Sequence, residues 1–206
     1  GTHGKTTTTS LVASVLSEGA LDPTFVIGGK LLAAGANAGL GSGEWLVAEA
    51  DESDGSFLRL TPLIAVVTNI DAEHLDYYRD IEEVSAAFLN YAHRISKELI
   101  LCGDDPRLAA LARDFRDLGV RRGLRITWYS LSSPEAQKVR KAIRIPGDHN
   151  VLNALGALHL ARTLGISDEV PVIGIAKGPH HGREGREVFH FPDGREKTLP
   201  VNSQLL

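Results

Sequence analysis

The stretch "GTHGKTTTTS", residues 1–10, decides how the rest of the chain is read. A phosphate-binding loop needs glycines so that backbone N–H groups can turn inward. It also needs a lysine to reach β- and γ-phosphates and a hydroxyl to ligate Mg²⁺. Gly1, Gly4, Lys5 and Thr6 supply those parts in order. The full pattern expects one more glycine ahead of residue 1, and an apolar strand ahead of that. Apolar residues at 11, 12, 15 and 16 share one helical face, and Gly19 is placed to stop the helix. A helix that starts at the loop points its free N–H groups at the phosphate position.

Working outward, short apolar runs recur: "TFVIGG", "EWLVAEA", "LIAVVTNID", "ELILCG" and "LRITWY". Helical stretches at 81–95 and 105–118 lie between the later ones. Buried, non-alternating runs separated by helices predict an α/β fold, a mostly parallel sheet of the P-loop NTPase kind flanked by helices. A long helix is expected at 149–164, with Asp148 as its N-cap. Residues 187–201 read as a small antiparallel hairpin turning at "PDG", and "KGPHHGREGRE", 177–187, as an exposed loop.

The 206 residues suit one domain, or one and a small appendage, with an ample core. With 22 basic and 26 acidic side chains the net charge is -4, which argues against a nucleic-acid or membrane footprint. No run reaches transmembrane length and no signal-peptide pattern is present, so the expected setting is cytoplasmic. The single cysteine, Cys102, follows an apolar run and is expected to be a buried free thiol.

Three polar clusters fall at the ends of predicted strands, where open α/β sheets place their ligands. One is the loop itself. The second is "VAEADESDGS", with Glu49, Asp51, Glu52 and Asp54 after an apolar run. The third is "VVTNIDAEHLDYY", with Asn69, Asp71, Glu73 and His74. A hydroxyl, a carboxylate and an imidazole beside a triphosphate make a reasonable Mg²⁺ environment. "TNID" invites comparison with the guanine-reading box of GTPases, but the lysine of that box is missing. His93 and His159 lie inside helical runs and read as packing or surface residues, and Trp45 and Trp128 read as core.

The strings "GTHGKTTTTSLV", "TFVIGGKL", "AEADESDGSFL", "VVTNIDAEHLDYY" and "IPGDHNVLNALGA", in that order, resemble the central ATP-binding domain of the Mur ligases. Within that family the wording is most like the branch that joins L-alanine to UDP-N-acetylmuramate in peptidoglycan precursor synthesis. The likeness is good over 1–176 and weak over 177–206 of a single domain, 1–206. It implies two cofactors, ATP and Mg²⁺. Gly1, Thr2, His3, Gly4, Lys5, Thr6 and Thr7 would cradle the phosphates, with Lys5 on the β/γ-phosphates. Thr6 and Glu49 would hold one Mg²⁺ and His74 a second. His149, Asn150 and Asn153 would line the adenine pocket. The catalytic group implied is Lys5, Glu49 and His74. Relatives that add later amino acids carry a carbamylated lysine where this chain reads "SAAFLNY", with Phe88 or Leu89 near the matching place.

The sequence also departs from the family. "GANAGLG", 35–41, stands where a more polar and basic stretch is expected, through Ala36 and Gly39. The family's phosphate-contacting arginine is not in its usual wording, and only Arg183 or Arg186 stands near by position. The implied partners are UDP-N-acetylmuramate, L-alanine and flanking domains of the same protein, without which the segment is expected not to ligate. Two alternatives stay open: a ligase that attaches a recycled tripeptide to the same sugar, and a nucleotide-binding module that does not turn over.

Overall fold

The computed structural model describes residues 1–28 and 38–169, and the backbone of strands at 180–182, 186–190 and 196–200. Helix α1, Lys5–Glu18, begins directly at the glycine loop. Gly19 ends it, its N–H bonded to the Val15 carbonyl at 3.0 Å. Strands β1 (Thr24–Val26), β2 (Ala38–Gly39) and β3 (Leu46–Ala48) form one sheet, with β1 parallel to β3 and antiparallel to β2. Strands β4 (Ile64–Val67), β5 (Glu98–Cys102) and β6 (Arg125–Tyr129) form a second sheet, all parallel. The five apolar runs are therefore all strands. In the second sheet, parallelism follows from the helical crossovers between its strands.

The crossovers are α2 (Ile81–Ala92) from β4 to β5, and α3 (Pro106–Ala110) with α4 (Ala112–Arg122) from β5 to β6. The expected helix at 105–118 is thus two pieces broken at Leu111, and it runs on to Gly123, whose left-handed φ of 65° stops it. Helix α5 (Ala136–Ala142) leads to α6 (Asp148–Thr163), which packs along α1 and against the second sheet. Asp148 is not the N-cap of α6. Gly147 occupies that position, and the Asp148 carboxylate instead pairs with Arg140.

Strand β5 is buried along its whole length, including Glu98. That carboxylate accepts from the hydroxyls of Thr127 and Thr163, which makes its burial tolerable. Cys102 is a buried free thiol, as expected, and burial pushes its pKa up. Trp45 and Trp128 pack half-buried against the core. His159 stacks on Tyr129 with ring centroids 6.0 Å apart, a packing role, while His93 caps the end of α2 at the surface.

Near the C-terminus β7 (His180–Gly182), β8 (Arg186–His190) and β9 (Glu196–Pro200) form an antiparallel sheet. The β8–β9 pair is the expected hairpin, and its "PDG" turn lies outside the described residues. The loop expected at 177–187 is corrected in part, because 180–182 and 186–187 are strand. Paired backbone groups there override a composition that reads as loop.

Helix α2 gives a direct check on the local reading. The Asp80 side chain accepts from the Glu83 N–H at 2.8 Å, capping the helix. Asp80→Ala should lower the stability of the chain by about 1 kcal/mol, read as a lower urea midpoint at unchanged slope.

Candidate functional site: a phosphate loop between two strand ends

The glycine loop is held by the residues that follow β4. The Thr2 N–H donates to the Asn69 carbonyl at 3.2 Å, and the His3 N–H to Asn69 Oδ1 at 2.7 Å. The Thr68 hydroxyl and Asn69 Nδ2 both donate to the His3 carbonyl, at 2.7 and 3.0 Å. The Asp71 N–H closes the set on Thr2 Oγ1 at 2.9 Å. The His3 ring lies 3.1 Å from Asp71 Oδ2, and the Ala72 N–H, with this contact second, holds the Asp71 carboxyl below its usual range. Asn69 and Asp71, read from the sequence as part of a metal environment, therefore brace the loop.

Gly4 has a left-handed φ of 76°. A Cβ there would lie 2.4 Å from Asn153 Oδ1. Both conditions exclude a side chain. Asn153 is buried on the second turn of α6, so it sits directly under the loop. His149 and Asn150 stand a turn earlier, where Asn150 Nδ2 donates to the Pro146 carbonyl at 2.7 Å and His149 is exposed. Thr7 lies half-buried on the first turn of α1.

The end of β3 supplies the carboxylates. Lys5 Nζ donates to both oxygens of Glu52, at 3.1 and 3.2 Å, and to the Thr2 carbonyl at 3.2 Å. Glu52 is only 2% exposed. Asp51 lies 3.7 Å from the same ammonium. Burial pushes the Asp51 carboxyl up, but hydrogen bonds from Ser53 and the Lys5 and His74 charges bring it below its usual value. Thr6 Oγ1 donates to Glu49 Oε1 at 3.3 Å. A Cβ on Gly28 would come within 3.3 Å of the Glu49 carboxyl, so that glycine leaves it room.

Glu49 Oε2 is buried without a hydrogen-bond partner among the described residues. Burial, the largest influence on this carboxyl, raises its pKa against the pull of Thr6 and Lys5. An orphaned carboxylate oxygen beside a threonine hydroxyl is a hard-oxygen donor set, and it fits a cation such as Mg²⁺. His74 belongs to a different group. One ligand atom each of Asp51, Glu52 and His74 lies within 4.8 Å of the others, and His74 adopts a left-handed φ of 58°. The residues named for metal thus fall into two sets, Thr6 with Glu49, and His74 with Asp51 and Glu52.

The sequence presented Asp51 and Glu52 as members of an acidic run and did not single them out. The signal available was their position just past a strand, next to Glu49. Of the two residues named near the expected lysine position, Phe88 is buried with its ring centroid 5.3 Å from that of Phe57, and Leu89 packs partly buried on the core. Ala36, Arg183 and the side chain of Arg186 lie outside the described residues. Gly39 packs its backbone against the Phe25 ring in β2.

A model of the Mur ligase middle domain matches residues 1–161. The chain belongs to the Mur ligase family. The UDP-N-acetylmuramate–L-alanine ligase of Xylella fastidiosa (strain M12) is 52% identical, over 82% of this chain and 39% of that protein. This chain therefore spans about two fifths of the length of that relative. Among solved structures, the UDP-N-acetylmuramate–alanine ligase of Thermotoga maritima superposes with a TM-score of 0.69 at 23% identity, over 94% of this chain and 47% of that one. The UDP-N-acetylmuramate:L-alanyl-γ-D-glutamyl-meso-diaminopimelate ligase from Neisseria meningitides gives the same TM-score and identity, over 89% and 65%. At that identity both speak to fold. No helix among the described residues is long and apolar enough to cross a membrane.

The raised pKa of Glu49 has a sign that can be measured. The stability linked to this carboxyl is full below its unfolded value of 4.5 and is lost as pH rises through the raised folded value. Glu49→Gln removes that loss. In metal-free buffer the variant should melt above the parent at pH 7, with the gap shrinking to nothing near pH 4.

Proposed function

We propose that this domain is the ATP-handling part of a ligase that joins L-alanine to UDP-N-acetylmuramate. The observation that carries the reading is the meeting of Lys5, Thr6 and the half-buried Glu49 at one helix start, in a chain 52% identical to such a ligase. Backbone N–H groups of the first turn of α1 face the phosphate position, with the helix dipole behind them. Lys5 would exchange Glu52 for the β/γ-phosphates over a short swing, because Glu52 already aims its ammonium at the loop. Thr6 and Glu49 would hold one Mg²⁺, and His74 with Asp51 a second. His149 and Asn150, at the open start of α6, would meet adenine, while Asn153 sets the height of Gly4 beneath the phosphates.

When bound, ATP would give its terminal phosphoryl group to the sugar carboxylate, with ADP leaving and Mg²⁺ neutralising charge, so that the alanine amine could attack the activated acyl carbon and expel phosphate. The domain's own contribution is alignment and neutralisation of charge around oxygens. No residue in the described part has a claim on the uridine diphosphate or on the amine. Flanking domains would supply those contacts and exclude water from the acyl phosphate. Such a reaction belongs in the cytoplasm. A second reading, a ligase that takes a preformed tripeptide in place of alanine, is separated from the first by the choice of acceptor.

Phosphate release from Mg-ATP with UDP-N-acetylmuramate, with and without L-alanine, tests the proposal. The 206-residue chain should be silent, and a form carrying both flanking domains should release phosphate only when alanine is present. Release that answers to the tripeptide and not to alanine would move the assignment to the recycling ligase. Silence of the long form with either acceptor would leave a nucleotide-binding module.

A further inference from the structure

Three residues of the proposed metal seat come from two different sheets, Asp51 and Glu52 following β3 and His74 following β4. Something must hold these strand ends together, because one ligand atom from each residue lies within 4.8 Å of the others. His74 also has a left-handed φ of 58°. A residue with a Cβ keeps that conformation only where its surroundings impose it.

The turn after His74 shows what imposes it. The N–H groups of Tyr77 and Tyr78 both donate to the His74 carbonyl, at 2.9 and 3.0 Å. The turn so closed sends the Tyr78 ring into the core, where it is 4% exposed. Its hydroxyl donates to the Glu52 carbonyl at 2.7 Å. The Gly55 N–H donates to the same carbonyl at 3.1 Å, which closes a tight turn over 52–55. Gly55 has a left-handed φ of 70°, and a Cβ on it would lie 2.5 Å from the Tyr77 hydroxyl. The two tyrosine rings meet edge to face, with centroids 4.8 Å apart. Two turns are thus pressed together, and the Tyr78 hydroxyl ties one to the other.

Packing alone does not call for that hydroxyl. A phenylalanine ring would fill the same space, and a buried hydroxyl is a cost unless it is bonded. Burial first, then Tyr77 and the nearby acids, push the Tyr78 phenol up to about 12, so it stays a donor near neutral pH. The bond ends on the backbone of Glu52, the residue that pairs with Lys5. We infer that Tyr78 is a positioning residue: its hydroxyl fixes the His74 turn to the Glu52 turn, so that the imidazole and the carboxylates of Asp51 and Glu52 meet one cation together. Tyr78 touches no ligand itself. The inference rests on the metal seat proposed above and names the group that keeps its two halves in register.

Zinc serves as the probe, since it is diamagnetic and accepts both imidazole and carboxylate ligands. It is titrated alone into the isotopically labelled chain, and side-chain NMR signals report each ligand separately. In the parent, the His74 ring nitrogens and the Asp51 carboxyl carbon should shift over the same zinc range. In Tyr78→Phe the zinc concentration that half-shifts the His74 ring should rise about fivefold, the worth of one such hydrogen bond. The Glu49 carboxyl, whose own N–H is held by β1, should respond as in the parent. Tyr77→Phe, which keeps both ring and turn, is the control and should leave both responses unchanged. An unchanged His74 response in Tyr78→Phe overturns the inference. So does an equal rise at His74 and Glu49, which would make Tyr78 a general support of the fold. A His74 ring that ignores zinc in the parent while Asp51 responds also overturns it. A Glu49 carboxyl that ignores zinc in the parent counts against the function proposed above, and the comparison at His74 still decides the role of Tyr78. If Tyr78→Phe does not fold, Gly55→Ala replaces it, because its Cβ pushes the same two turns apart. The His74 midpoint should again rise with Glu49 unmoved, and an unmoved His74 midpoint overturns the inference.

Discussion

The ion pair between Lys5 and Glu52 constrains the structure around it because Glu52 has almost no access to water. A carboxylate buried that deeply must be paired, and removing the partner of such a charge typically costs about 3–5 kcal/mol. The ammonium is therefore pinned by the end of β3, while the loop that carries it is pinned by the end of β4 through Thr68, Asn69 and Asp71. Two strands from separate sheets thereby fix one short loop. The left-handed Gly4, the buried Asn153 beneath it and the start of α1 follow from that placement.

The same constraint explains the charge pattern of the site. Lys5 is half of a structural pair, so on the proposed reading a nucleotide would compete with Glu52 for it. Competition between a buried carboxylate and a triphosphate favours the phosphate only when another cation neutralises the carboxylates left behind. The orphaned oxygen of Glu49 and the cluster of Asp51, Glu52 and His74 would be the places for such cations on the proposed reading. On that reading, binding of nucleotide and of metal would be coupled through Lys5.

Much of this was legible in the sequence. The five apolar runs are all strands, although only β5 is buried along its whole length, and Lys5, Thr6 and Glu49 meet as their motifs suggested. The rest depended on contacts between distant residues. The break at Leu111 lies inside one continuous apolar periodicity, and β2 is two residues long, too short to leave a pattern. Asp148 looks like a cap by composition, yet Gly147 takes the position and Arg140 takes the carboxylate. Asn69 and Asp71 carry the chemistry of ligands but spend it on the loop, and Asn153 is drawn under Gly4 by the packing of α6 along α1. Glu52 is one acid among four in the sequence. Only the fold shows that it is the buried one.

The central claim is that the loop, Lys5 and the strand-end carboxylates form one phosphate and metal seat. Titration of the isotopically labelled chain with Mg-ATP, followed by amide chemical shifts, tests it most directly. Shifts concentrated at Thr2–Thr7, Glu49, Asp51, Glu52 and His74, and much reduced when ATP is added without Mg²⁺, are the predicted result. Shifts centred elsewhere on the chain, or a response at the loop that ignores the metal, would contradict it.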